Sequence, residues 1–292
     1  LSLYYMILKK NKCLNKVSVD DIYKLPFMKM LIGVCTDVIQ RRVSQPNTIT
    51  DDEKYLLDFY DLVESIMKSL ECIRISLVIS KRYDRKYLMN NQINEEQYTT
   101  YCYDSIIHKI STIKDLEFKL IHKLYGLPTK NGKYSWNTIF DHKKVINNDK
   151  LFAFYENKSN FDFTSYLVGK RHLSSHEGKL SMRHFKDVSR LLFIRDISNN
   201  PLYKEIPSGD YANGFYASLQ IKNSRKEAIK YLENVYQICI NLRFMFFECL
   251  FCDLSNLFTS EIKEHYHKTI SDIFNHIISD INIVNEKNNN SE

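Results

Sequence analysis

An all-α fold is what this sequence predicts, and three observations predict it. Glycine and proline number only 7 and 5 in 292 residues, too few for the many tight turns of a β-sandwich or barrel. No stretch alternates apolar and polar residues with the period of two that a half-buried strand needs. Three long segments instead carry apolar residues at steps of three and four, each headed by a capping signature.

The elements follow in order. Residues 1–49 hold one or two shorter helices, ended by Gln45-Pro46, because the residue before a proline is pushed out of the helical region. Thr50-Asp-Asp-Glu53 sets a hydroxyl three residues before a glutamate, so that two orphan backbone donors are satisfied reciprocally. Behind it Leu56, Phe59, Tyr60, Val63, Ile66, Met67, Leu70 and Ile73 predict a helix to about Ser80. Asn94-Glu-Glu-Gln97 opens the second long helix. Its face is Tyr103, Ile106, Ile107, Ile110, Ile113, Leu116 and Leu120, and it ends near Leu124. Tyr125-Gly126-Leu-Pro128 and Lys130-Asn-Gly132 turn the chain into a region of short helices, 136 to 195. Asn199-Asn-Pro201, Pro207, Gly209 and Gly214 then predict a breaker-rich connection reaching Asn223.

Ser224-Arg-Lys-Glu227 predicts the start of the third long helix. Ala228, Leu232, Val235, Cys239, Leu242, Phe246 and Cys249 form its unbroken seam, and its C-terminal end is apolar nearly all round. Glu261 to about Ile283 reads as a last helix. No internal repeat is present. The predicted organisation is an N-terminal helical extension over 1–50, an all-α domain over 51–283 and a disordered tail over 284–292.

Several function classes are excluded early. The chain lacks G-x-G-x-x-G and G-x-x-x-x-G-K-[ST], the two Gly-rich loops that cradle phosphates. Seven cysteines, at 13, 35, 72, 102, 239, 249 and 252, are scattered and odd in number. Most lie in apolar periodic stretches, which points to core thiols in a reducing compartment. Cys249-Leu-Phe-Cys252 has CxxC spacing, yet a zinc site needs a second ligand pair and none stands near. Glu264-His-Tyr-His267 supplies one Glu-x-x-His pair where a di-iron bundle needs two. Neither a metal nor a cofactor is expected. No uncharged apolar run reaches the ~18 residues of a membrane span. Lys9 and Lys10 follow the apolar first eight residues rather than precede them, the wrong order for a signal peptide. A soluble, cytoplasmic protein with no membrane partner is expected.

Formal net charge is +6, from 41 basic and 35 acidic residues, and it is unevenly spread. Lys170, Arg171, Lys179, Arg183, Lys186, Arg190 and Arg195 fall between residues 165 and 195, opposed there only by Glu177 and Asp187. Seven basic side chains less two acidic ones is a local +5, nearly the excess of the whole chain. Such a patch concentrates and steers polyanions. His172, His176 and His184 share the window, and titratable imidazole beside positive charge suits phosphodiester chemistry.

Inside the window stands Gly169-Lys-Arg171-His172-Leu-Ser-Ser-His176-Glu-Gly178. Arginine, a polar residue, three more and then histidine resembles the signature of the HEPN superfamily of helical proteins, many of them metal-independent endoribonucleases. The resemblance implies Arg171 and His176 as the catalytic pair, with His172 at the polar position after the arginine. It implies an elongated helical bundle, here with extra N-terminal helices, and a homodimer that brings two motif copies together. In motif it covers residues 169–178, in helical architecture residues 51–260; residues 1–50 lie outside it. The activity implied is RNA cleavage of toxin or abortive-infection type in phage defence, with an antitoxin as a candidate protein partner. The alternative is a non-catalytic helical module that binds a nucleotide, an RNA or a protein through the same patch.

The residue types fit that chemistry. A histidine near its ordinary pKa of about 6.5 both accepts and donates a proton near neutrality. It suits removal of the ribose 2′-OH proton or protonation of the departing 5′-oxygen. The planar arginine fork holds two phosphate oxygens and the charge that develops on them. Lys170, Lys179, Arg183 and Arg190 are the expected RNA contacts. Five residues of α-helix turn through about 500°, which leaves Arg171 and His176 about 140° apart around the axis. They do not share a helix face. Either Gly169 and Gly178 allow irregular backbone, or the pairing is between two chains. His108, His122, His142 and His276 read as core-edge or surface residues.

Overall fold

The computed structural model describes residues 17–45, 49–129, 132–157, 160, 165–167, 169–171, 182–186, 188–199, 214–250, 253, 257–276 and 279. Those residues are all-α, with no strand among them. Helix α1 (Val19–Tyr23) opens on a capping box between Ser18 and Asp21. Helix α2 (Pro26–Ser44) has its proline in the first turn, where the missing N–H costs nothing, and ends at Gln45 as predicted.

Two of the three predicted long-helix starts form as read. At the head of α3 (Asp51–Lys81) the Thr50 hydroxyl accepts from the Glu53 N–H at 3.3 Å, and the Glu53 carboxylate accepts from the Thr50 N–H at 2.9 Å. After the short α4 (Arg85–Asn90), Asn94 and Gln97 make the same reciprocal pair at 2.9 Å each, and α5 (Glu95–Leu124) follows. The predicted seams are buried: Leu56, Phe59, Val63, Ile66, Met67, Leu70 and Ile73 on α3, and Ile106, Ile107, Ile110, Ile113 and Leu120 on α5. Helices α6 (Trp136–Asp141), α7 (Lys143–Ile146), α8 (Asp149–Glu156) and α9 (Ser189–Asn199) supply the middle region. Residues 165–167 and 169–171 are also helical, and Arg183–Phe185 is a 3₁₀ turn.

The third start is corrected. Helix α10 (Phe215–Leu250) is already nine residues old at Ser224, so Ser224 and Glu227 sit in a helix interior. A capping spacing there has no orphan donors to satisfy, since only the first four N–H groups of a helix lack partners. After Gly214 no glycine or proline interrupts the chain to Leu250, and buried Ala217 and Ile221 extend the seam of Ala228 and Leu232 backwards. The predicted 199–223 connection is therefore shorter at its C-terminal side. Its residues 200–213 lie outside the described ones.

The last helix is corrected too. Helix α11 (Ser260–His265), capped by the Thr259 hydroxyl, stops at Tyr266, whose φ of −114° and ψ of 22° break the spiral. The Tyr266 hydroxyl donates to the buried Glu53 carboxylate, a contact that fixes the break. Residues 267–276 are helical again. The predicted tail, 284–292, lies outside the described residues.

Two compact units divide the chain. One gathers the described residues of 68–113 and 161–239, the other those of 16–67, 114–160 and 240–292. The core of the first unit holds Ile73, Ile106, Ile110, Phe185, Leu192, Leu232 and Val235, and that of the second Leu31, Val34, Phe59, Phe152 and Phe246. Cys35, Cys102 and Cys239 are buried, while Cys72 and Cys249 are half-buried. Cys252, the other half of the CxxC, lies outside the described residues. No helix among the described residues is long and apolar enough to cross a membrane.

Candidate functional site

The arginine of the motif belongs to the first unit. It stands on helical backbone, half-buried, and its Nη1 donates to the hydroxyl of Ser111 on α5 at 2.6 Å. Ser111 is itself buried, at 3% exposure. One arm of the guanidinium fork is thus tied to its own chain. Lys170 beside it holds its ammonium 5.6 Å from the centre of the Tyr166 ring. His172, His176 and Lys179 lie outside the described residues. Of the other predicted RNA contacts, Arg183 on the 3₁₀ turn and Arg190 in the first turn of α9 are exposed, as is Lys186.

Arg195 corrects the charge count. It is 1% exposed, and its fork closes on Glu95 at the start of α5, with Nη1 3.2 Å from Oε1 and Nη2 on Oε2. The cause is helical spacing: Val188, Leu192 and Arg195 follow at steps of four and three, so the arginine shares their buried face. The basic window is therefore less positive at its surface than the sequence suggests. His184, also counted there, is half-buried, with its ring 5.3 Å from that of Tyr231. Burial holds its pKa below the ordinary value, with Glu227 opposing and Arg183 adding to the shift. The shift favours the neutral imidazole, so His184 adds less positive charge to the window than an unburied histidine would.

Polar bonds pin α9 to the head of α5. The Ser189 hydroxyl donates to Glu96 at 2.9 Å, and the Asn94 amide donates to Asp196 at 2.6 Å. Burial pushes the Glu96 and Asp196 carboxyls up, while these same bonds draw them down.

Beside this junction lies a cavity of about 310 Å³ that sequence reasoning missed. Tyr83, Arg85, Glu95, Arg195, Lys222 and Arg225 are in its lining. Nη2 of Arg225 donates to the Ser80 carbonyl at 2.8 Å, and its guanidinium lies 5.3 Å from the centre of the Tyr83 ring. Ser218, Lys222 and Arg225, all in the lining, follow at steps of four and three along α10 and so share one helix face. That periodicity was available in the sequence. Placing residues up to 223 in a connection concealed it.

The second unit has a larger cavity, about 630 Å³, mostly apolar, with Phe27, Phe154, Met245, Phe247 and Cys249 among its lining. Burial pushes the Cys249 thiol up to about 11, so it is not a thiolate at neutral pH. Of the singleton histidines, His122 is buried, with Nε2 accepting from the Ser135 N–H at 3.3 Å, while His276 is exposed. Among the described residues no three His, Cys, Asp or Glu side chains gather to hold a metal ion.

A comparison of the chain with family models, with curated proteins and with solved structures finds no match in any of the three. The functional reading therefore stands on these residues alone.

Proposed function

We propose that the chain is a metal-independent endoribonuclease of HEPN type, a toxin or abortive-infection enzyme of phage defence acting in the cytoplasm. One observation carries the reading: Arg171, the arginine of the Arg171-His172-x3-His176 pattern, is held by Ser111 next to Lys170 in the unit that also exposes Arg183, Lys186 and Arg190.

The mechanism follows from the residue types. His176 takes the proton of a ribose 2′-OH, and the 2′-oxygen attacks the adjacent phosphorus as the bond to the 5′-oxygen breaks. The 5′-oxygen takes a proton from water, to which His176 returns its own. The products are a 2′,3′-cyclic phosphate and a 5′-hydroxyl. Arg171 holds the phosphate oxygens while charge grows on them. His172 stands next to that arginine, and Lys170, Lys179, Arg183 and Arg190 bind the backbone. A requirement for the 2′-OH selects RNA over DNA without reading bases. A homodimer and an antitoxin partner belong to the same reading.

The test is incubation of the purified chain with total RNA in EDTA. Cleavage is expected to persist and to leave 2′,3′-cyclic ends. Loss of cleavage on chelation, restored by a divalent ion, overturns the mechanism. RNA that is bound but never cut points instead to the non-catalytic module.

Arg183→Glu tests the exposed patch. It removes one phosphate contact without touching the core, so binding weakens and the slope of log affinity against log salt flattens by about one. The thermal midpoint should not move. Unchanged affinity at low salt makes the patch a solvated bystander.

A further inference from the structure

Four cationic side chains, Arg85, Arg195, Lys222 and Arg225, line the 310 Å³ cavity of the first unit. Glu95 is the one carboxylate in that lining, and the Arg195 fork already holds it. Four cations less one carboxylate leave a lining of net +3. Like charges gathered around a small half-buried space repel one another and focus a positive field into it. The fold answers part of this cost: Arg195 leans on Glu95, and Arg225 on the Ser80 carbonyl and the Tyr83 ring. Part stays unanswered. The Nε atoms of both Arg195 and Arg225 are buried with no acceptor among the described residues. A buried donor left so is a standing cost of the fold, and the repulsion among the four cations is what an anionic ligand in the cavity relieves.

We propose that this cavity binds a phosphomonoester: the terminal phosphate of a free nucleotide or of a nucleic-acid strand. The volume is at the lower end of ligand pockets, about 300–1,000 Å³, which suits a phosphate head with little beyond it. The Arg195 fork is taken by Glu95, so the guanidinium groups that can meet phosphate oxygens are those of Arg85 and Arg225, and Lys222 adds a point charge beside them. A phosphomonoester near neutrality carries nearly two charges and cancels most of the excess, whereas a backbone diester carries one. Arg225 covers one face of the Tyr83 ring, and the Tyr98 ring packs against it in a T-shaped contact at 5.6 Å, so the ring is already engaged on its own chain. Charge and size thus favour the phosphate as the recognised group. It uses neither Arg171 nor His176, so the assignment does not rest on the ribonuclease reading.

Calorimetric titration of the full chain tests it, with four probes: inorganic phosphate, AMP, and a short DNA strand with either a 5′-phosphate or a 5′-hydroxyl. DNA has no 2′-OH to be cut. Binding of inorganic phosphate or AMP assigns a free phosphate ligand. Preference for the 5′-phosphorylated strand over its 5′-hydroxyl twin, with AMP unbound, assigns a strand end. Arg85 and Lys222 are exposed, so Arg85→Gln and Lys222→Gln are expected to keep the wild-type thermal midpoint while each weakens binding about tenfold or more. Arg225→Lys keeps the charge but loses the fork, and should weaken binding without abolishing it. Failure of every probe at millimolar concentration overturns the proposal. So does equal binding of the two strands without AMP binding, or affinity unchanged in both glutamine variants.

Discussion

Arg243→Met is expected to lower stability by about 3–5 kcal/mol at neutral pH, the usual cost of stranding one member of a buried ion pair. In the second unit Arg243 and Glu117 are 3% and 1% exposed, with Nε 2.6 Å from Oε1. The Tyr155 hydroxyl donates to the other carboxylate oxygen at 3.5 Å. The Tyr155 ring lies in turn 4.6 Å from that of Trp136 and 5.8 Å from that of Phe118. Burial in this apolar setting raises the Glu117 carboxyl above its ordinary value, and the Arg243 charge is the strongest of the opposing effects. Without Arg243 the carboxyl rises further. A group whose folded pKa lies above its unfolded one penalises the fold fully above the folded pKa. The penalty fades as pH falls toward the unfolded value of about 4.3, where both states carry the proton. The deficit of Arg243→Met should therefore be larger near pH 8 than near pH 5, measured by urea denaturation. Arg243→Met with Glu117→Leu should recover most of the loss, because apolar replacement of both partners is often neutral. A deficit equal at both pH values, or none, removes the buried pair from the account.

The fold was legible where the determinants are local. The reciprocal caps at Thr50 and Asn94 and the seams behind them involve residues three and four apart, and α3 and α5 begin where those caps stand. Ser224 has the same spacing but no preceding stop. The nearest breaker is Gly214, and the helix grows back to Phe215. The break at Tyr266 is bound to Glu53, 213 residues away, and no periodicity can announce such a partner. Distance along the chain sets the limit at the site as well. Arg171 was visible as part of a pattern, but the Ser111 hydroxyl that orients it is 60 residues off. Charge counting placed Arg195 with the surface basics because its counter-ion, Glu95, lies 100 residues away. A count of charges cannot separate a solvated arginine from a paired one; the two differ by the burial that only folding reveals.

His176→Ala and Arg171→Ala are each expected to lower cleavage about 10²–10⁴-fold, the range for losing a general acid–base or a positioned charge stabiliser. Mixing the two dead chains is then expected to restore activity. On one ideal helix the two side chains diverge by about 140°, and Arg171 is further committed to its own chain through Ser111. A two-fold axis that brings residues 165–195 of two chains together allows the arginine of one chain to meet the histidine of the other. A pairing of an Arg171→Ala chain with a His176→Ala chain then leaves one of its two sites complete, contributed by the intact arginine and the intact histidine. Random pairing makes about half the dimers mixed, so about a quarter of the wild-type rate returns if one arginine and one histidine from opposite chains suffice. Each variant alone stays inactive, and the recovered rate falls away on dilution below the dimer dissociation constant. A mixture no more active than its parts, or a wild-type chain that cuts RNA as a monomer at micromolar concentration, overturns the shared site.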